Sequence, residues 1–226
     1  QNFLGRAYQQ IPVGITVEGA NILTRSLILF GQGAIRCHPF VLAEMDAAQR
    51  NDEGGFDHVL REHVAFTVNN AGRAFVMGLT GSHFVKLPID VAPETRRYYQ
   101  QLTRFSAAFA FIADISMGTL GGALKRKEKL SARLGDILSL MYLATATLKR
   151  YEAEGRQAAD APLMHWAIWD CMFRIQLAFE GVIANFPNKL YAFLLRRLVV
   201  FPLGRPYVVP SDRLGHEVAA LLIGPS

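Results

Sequence analysis

Apolar positions recur along this chain at helical spacing, and short polar or glycine- and proline-containing breaks divide it into long segments. The cleanest segment runs from about Glu128 to Ala153. There Leu130, Leu134, Ile137, Met141, Ala144, Leu148 and Tyr151 alternate steps of four and three. That spacing is a heptad seam, and it predicts a helix packed in a bundle with left-handed crossings. A helix is also expected from about Phe56 to Leu79, with Val59, Phe66 and Phe75 on its apolar side, and another from about Ala92 through Tyr98, Leu102, Phe105 and Phe109 to Leu120. Asp160 followed by Pro162 marks the start of a helix carrying Leu163, Trp166, Trp169, Phe173, Leu177 and Ile183. Pro187 opens a shorter helix, 190–201, with Leu190, Leu194, Leu195 and Leu198 as one stripe and Arg196 and Arg197 beside it. Ser211 caps a last helix through Leu214, Val218 and Leu221.

The beginning reads differently. Residues 1–19 are expected to be loop-like, punctuated by Gly5, Pro12 and Gly14. A first helix follows from about Ala20 to Phe30, and Pro39 suits the first turn of a further one through Val41, Leu42 and Met45. Asn51-Asp52-Glu53-Gly54-Gly55 is a clear break. The expected fold is all-α: a helical bundle, divided into residues 1–50 and residues 51–226.

Composition narrows this picture. The chain has 226 residues, of which 51% are hydrophobic, too many for a disordered chain and enough for a sizeable core. A net charge of +5 suits anionic partners such as CoA phosphates or an anionic membrane. Nucleic acid is not expected, because no recognition helix or RNA-binding signature is present. Cys37 and Cys171 read as buried thiols in a reducing compartment. The stretch from Phe105 to Leu124 is uncharged apart from Asp114 and is long enough to cross a bilayer, but Asp114 would be costly in lipid, so a buried bundle helix is preferred. Gly118, Gly121 and Gly122 would allow it close contact with a neighbour. Lys125-Arg126-Lys127-Glu128-Lys129 reads as a solvated turn, with a phosphate or lipid-headgroup contact as the alternative. Residues 187–210 could cap the bundle or lie on a membrane surface. No metal site is expected: His58 and His63 are five apart and face different ways on a helix, and nothing completes a set with them and His83.

One short stretch carries chemistry. In Ile15-Thr16-Val17-Glu18-Gly19-Ala20-Asn21-Ile22-Leu23-Thr24-Arg25 a β-branched run ends in a carboxylate and a glycine at the entry to a helix. On residue type alone, Glu18 is an acid balancing the helix dipole. Yet Glu-Gly-x-x-x-(Ile/Leu)-x-Arg at a helix start resembles the catalytic-base motif of the acyl-CoA dehydrogenases. The longer run from Ile11, continuing through Gly31-Gln32-Gly33-Ala34-Ile35-Arg36-Cys37-His38-Pro39, is similar to the large bacterial-type enzymes of fatty-acid β-oxidation, which carry an extra C-terminal domain. The likeness extends through Ser131 to Ser139, Leu148 to Tyr151 and Phe201 to Arg205.

The resemblance implies a specific reaction. Fatty acyl-CoA is oxidised to trans-2-enoyl-CoA, with a glutamate taking the α-proton while the β-hydride goes to flavin N5. By position Glu18 is that base, Gly19 touches the substrate, and Ala20, Asn21 and Ile22 lie along FAD. Ala20 stands where the wider family more often has threonine, so a hydroxyl contact to the cofactor is absent. The resemblance also implies an electron-transferring flavoprotein as partner; a homo-oligomer is expected, in the cytoplasm, and the basic amphipathic segment could give it peripheral contact at the inner face of the cell membrane. It reads the chain as the C-terminal part of a longer enzyme, inactive alone because most FAD-binding groups lie upstream. The alternative is a non-catalytic helical module for subunit, partner or membrane association.

Overall fold

The computed structural model describes residues 3–12, 24, 25, 28, 33–87 and 90–223. Among these residues there is no strand, and nine α-helical segments make up a bundle. They are α1 (residues 3–12), α2 (Gly33–Cys37), α3 (Val41–Gln49), α4 (Glu53–Leu79), α5 (Pro93–Leu120), α6 (Glu128–Ala153), α7 (Ala161–Ala184), α8 (Lys189–Leu194) and α9 (Asp212–Ile223). The all-α expectation holds, and the limits of α4 to α7 follow the sequence pattern closely. Residues 3–12 differ, being helical where a loop was expected. Leu4, Arg6, Ala7, Gln9 and Gln10 are all good helix formers, and they outweigh a single Gly5 near the start. The expected helix 20–30 lies mostly outside the described residues.

Local chemistry sets the helix ends. The Asp52 carboxylate accepts the Gly55 N–H at 2.9 Å and caps α4. Pro93 and Pro162 occupy the first turns of α5 and α7, where a missing N–H costs nothing. Asn188 caps α8 through the N–H groups of Leu190 and Tyr191, and Ser211 Oγ accepts the Leu214 N–H at 3.3 Å at the head of α9. Gly121, at φ +48°, ends α5, and Cβ atoms added at Gly118, Gly121 or Gly122 would touch nothing within 4 Å. Gly121 therefore stops a helix, and among the described residues none of the three glycines brings in a neighbour, contrary to expectation.

The core lies between α5, α6 and α7, with α4 packed along α5. Leu130, Leu134, Ile137, Ala144, Leu148 and Tyr151 of the seam are buried, and Met141 is partly so. On α7 the buried face is Met164, Ile168, Met172, Ile175, Phe179 and Val182. The expected stripe is one step round: Leu163, Trp166 and Leu177 are exposed, and only Ile183 is fully inside. Asp170 and Arg174 lie on the side away from that buried face, and the expected stripe runs beside these polar residues. α5, together with the 3-10 turn Gly121–Arg126, is long and apolar enough to span a membrane. In this fold it is a central bundle helix, with Phe105, Ile112 and Asp114 buried.

The C-terminal segment is strapped across this core. Arg104 donates to the Val200 carbonyl, and burial lowers its pKa. Gln176 exchanges two hydrogen bonds with the Tyr207 backbone, at 2.9 and 3.1 Å. Leu195, Val200, Phe201 and Tyr207 are buried, whereas Leu190, Tyr191, Phe193 and Leu194 of α8 are exposed. The expected single stripe of α8 is thus split, because Leu195–Val200 winds as a wider π turn. Arg174 and Asp170 pair across one turn at 2.9 Å, as their spacing predicts. Contacts cross the break at Asn51, since α3 packs on α4.

Candidate functional site

Glu18, Gly19, Ala20, Asn21 and Ile22 lie outside the described residues. Arg25, which closes their motif, is described. Its Nε donates to Asp136 Oδ1 at 2.6 Å and its Nη2 to Oδ2, a two-pronged pair that raises the guanidinium's pKa. Asp136 belongs to the Ser131–Ser139 stretch of α6. Two segments that look unrelated along the chain are therefore joined, and the end of the motif is anchored beside the bundle.

Near that anchor is a cleft of about 290 Å³. Its walls come from Gly33 and Ala34 of α2, Phe66 of α4, Phe109, Ala110, Ala113 and Met117 of α5, and Leu138 of α6. Exposed Cys37 and Ser106 border it, and His38 and Asp114 form its polar end. Cys37 was expected to be a buried thiol; it is exposed at the end of a five-residue helix that buries none of its residues. Cys171 is partly buried, and that burial raises its pKa.

The polar end is a closed hydrogen-bond network. The N–H groups of Phe40 and Val41 donate to His38 Nδ1 at 3.2 and 3.3 Å. The ring proton is therefore on Nε2, which donates to Asp114 Oδ1 at 2.8 Å. Thr67 Oγ lies 2.8 Å from Asp114 Oδ2 and 3.0 Å from the His63 carbonyl, sharing one proton between them. His63 donates from Nδ1 to Glu44 Oε1 at 2.7 Å, and its Nε2 is 3.7 Å from Asp114 Oδ1. Thr67 and His63 lie one turn apart on α4, so that single face serves the whole network.

His38, His63 and Asp114 each bring one potential ligand atom within 4.8 Å of the others. His38 decides what they can do. A metal would need the Nε2 lone pair, and Nδ1 would then have to carry a proton facing two backbone N–H donors. The arrangement instead suits a neutral ring wired to a carboxylate. His38 also has no free nitrogen with which to activate the Ser106 hydroxyl or the Cys37 thiol, so the cleft lacks a hydrolase-like triad. Sequence reasoning compared His63 with His58 and His83; its true neighbours arrive from the α2–α3 junction and from α5. The signal that could have found them was Asp114 itself, a lone acid in an apolar helix.

A second pair joins α5 to α7. Tyr98 Oη lies 2.7 Å from His165 Nδ1, with burial raising the tyrosine's pKa and lowering the histidine's. A hydroxyl donating to a neutral ring satisfies both, which makes this a core hydrogen bond. At the far end of the bundle, Arg126, Lys127, Lys129 and Arg133 border a shallow basic cleft with Asn185. Asn185 is three residues from the cap of α8.

The residues that the resemblance assigns to FAD are outside the described ones, and His38 and Asp114 at the polar end of the apolar cleft are already paired. Comparison with known proteins bears on the wider identity. No solved structure matches the chain. A protein-family model described as acyl-CoA dehydrogenase, C-terminal, bacterial type, matches residues 35–226, which begin at α2 and take in the cleft, the network and the whole bundle. With that match over most of its length, the chain belongs to the bacterial-type acyl-CoA dehydrogenase C-terminal family.

Proposed function

We propose that this chain is the base-bearing portion of an FAD-dependent acyl-CoA dehydrogenase, and that Glu18 removes the α-proton of a fatty acyl-CoA. The observation that carries this reading is the family match at residues 35–226, placed directly after the Glu18-Gly19…Arg25 motif. The α-carbon of a thioester is a weak acid, so the base must be tuned. Placing a carboxylate against an apolar acyl chain raises its pKa toward working pH. Hydrogen bonds to the thioester oxygen stabilise the enolate-like charge as the proton leaves. Gly19 has no side chain to hold the thioester away from the carboxylate. Bound FAD supplies the hydride acceptor, and an electron-transferring flavoprotein reoxidises it. The bidentate Arg25–Asp136 pair supports the reading by holding the end of the motif against α6.

Glu18→Gln in the complete flavoenzyme tests the assignment. Thermal unfolding should be unchanged, while turnover and α-proton exchange into D2O should fall by about 10²–10⁴, the usual worth of a general base. Near-normal exchange by the variant would refute it.

A second reading, association with an anionic membrane, is favoured by one observation. α8 exposes Leu190 at 63% and Phe193 at 60% while Lys189, Arg196 and Arg197 lie in the same short segment. Deleting residues 187–210 would strip Phe201 and Tyr207 from the core, so point changes are the cleaner test. Leu190→Ser with Phe193→Ser should reduce co-sedimentation with anionic liposomes and leave the fold intact; equal binding would exclude α8 as an anchor.

A further inference from the structure

We infer that the basic cleft at the start of α6 binds a phosphate monoester. The run Lys125-Arg126-Lys127-Glu128-Lys129 is tied down at both ends. Leu124 and Leu130 on either side of it are buried, and Ser131 Oγ donates to the Leu124 carbonyl at 3.1 Å, which joins the turn Gly121–Arg126 to α6. With Arg133 and Asn185 the run borders a cleft of about 440 Å³. Arg126, Lys127, Lys129 and Arg133 are cations, and Glu128 is the single acid among the described residues of the lining. Elsewhere Arg25, Arg150, Arg156, Arg174 and Arg205 each hold a carboxylate. Among the described residues, none of the cleft's cations does, and neither does Lys125. Like charges gathered without a counter-charge repel one another, and a bound dianion relieves that repulsion.

Packing fixes one of these cations in advance. The Arg133 side chain lies against Gly181 of α7, where an added Cβ would come within 2.8 Å of its Cδ and Nε. Asn185, one turn on, donates from Nδ2 to the Gly181 carbonyl at 2.8 Å, so its amide lies over the same turn. A guanidinium held this way keeps its planar fork for two oxygens of one ligand. The C-terminal turn of α7 favours a cation beside it, but that accounts for Arg133 alone. Lys127 stands at the N-cap of α6 with no side-chain bond, and among the described residues the N–H groups of Glu128 and Lys129 have no acceptor. These donors add to the cations at a helix end that favours anions. A phosphate monoester brings close to two charges and three acceptor oxygens, which matches the set; a carboxylate or a singly charged diester matches less of it. The open, shallow shape admits the group on a lipid headgroup or on a soluble molecule.

Inorganic phosphate is the first probe, titrated into the whole chain at constant ionic strength and followed by phosphorus NMR. Binding should saturate, and it should be about tenfold weaker in Arg133→Met, which keeps the packed stem and removes the charge. Gly181→Ala should weaken it several-fold with no change of charge, because the new Cβ displaces the guanidinium; far-UV circular dichroism should show both variants folded. Lys149→Met removes a cation from the other end of α6, about 30 Å away, and should bind as wild type. Co-sedimentation with vesicles containing phosphatidic acid separates the two sources. If Arg133→Met lowers it and inorganic phosphate competes, the group is carried by a lipid; if vesicle binding is unchanged while phosphate affinity falls, the carrier is soluble. Leu190→Ser with Phe193→Ser should leave the affinity for inorganic phosphate unchanged, so failure of α8 as an anchor and failure of this site are distinguishable. Phosphate binding that does not saturate would overturn the inference. So would an Arg133→Met affinity no lower than that of Lys149→Met, or a Gly181→Ala affinity equal to wild type.

Discussion

Replacing Asp114 by alanine tests whether the network at the end of the cleft holds α2, α4 and α5 together. The Asp114 side chain is 4% exposed, and it accepts from His38 Nε2 and Thr67 Oγ, each at 2.8 Å. Alanine removes both acceptors and strands the His38 N–H, while the Thr67 hydroxyl keeps the His63 carbonyl as an acceptor at 3.0 Å. Hydrogen bonds to a charged group are worth about 1.5–3 kcal/mol each, and stranding one partner of a buried pair costs about 3–5 kcal/mol in total. For a chain of this length, about 2–4 °C of Tm accompanies each kcal/mol, so a loss of about 6–20 °C is expected. Far-UV circular dichroism during heating and during urea titration reads both quantities. Asp170→Ala is the control, since it removes only the pair with Arg174, whose side chain is 59% exposed, and should cost less than about 1 kcal/mol. Thr67→Val combined with Asp114→Ala should cost less than the sum of the single changes, because the two groups share one bond. If Asp114→Ala loses no more than the Asp170 control, the network is not what joins these helices.

Two further outcomes follow from the packing. Glu152 of α6 caps the start of α5 from across the interface, accepting the Ala92 N–H at 3.0 Å and the Thr95 hydroxyl while Arg156 pairs with its other oxygen. Burial works to raise its pKa, but the bonds from Thr95, Ala92 and Arg156 and the Arg156 charge hold it below the ordinary carboxylate value. Its stabilisation is therefore complete above that ordinary value and is lost as pH falls through the lower, folded one. Glu152→Gln should cost about 1–2 kcal/mol at neutral pH, with the difference from wild type closing in acid; a pH-independent difference in urea midpoints would contradict this. On α4, a Cβ at Gly78 would lie 2.7 Å from the Pro202 ring, whereas one at Gly72 would meet nothing within 4 Å. Gly78→Ala should destabilise by about 1–3 kcal/mol and Gly72→Ala should stabilise by up to about 1 kcal/mol, so equal signs in thermal unfolding would refute the packing.

Much of the architecture was determined by local sequence. The 3.6-residue period and the caps are properties of neighbouring residues, so Asp160 with Pro162 and Ser211 mark helix starts that the fold reproduces, while Asp52, in a stretch read only as a break, caps α4. The seam of α6 was legible because polar residues flank it and leave one rotation that buries Leu134, Ile137 and Leu148. Lone Asp114 announced itself as a group needing partners. Where that local contrast disappears, the sequence pattern loses its hold. On α7 large apolar residues also stand beside the polar ones, and the buried face lies away from the expected stripe.

Tertiary structure alone decided which distant residues meet. Arg25 and Asp136 are 111 residues apart, and His38 and Asp114 are 76 apart. Nothing in the spacing of either pair encodes its contact, because each follows from how whole helices settle against one another. The same holds for Glu152 capping a neighbouring helix and for the cleft. Each wall residue of that cleft is an ordinary apolar or small side chain of its own helix, and the space between them exists only once four helices have packed. Sequence by itself determined the helices and pointed to Glu18; packing of apolar faces, which is non-directional and sums over many contacts, set the geometry around them.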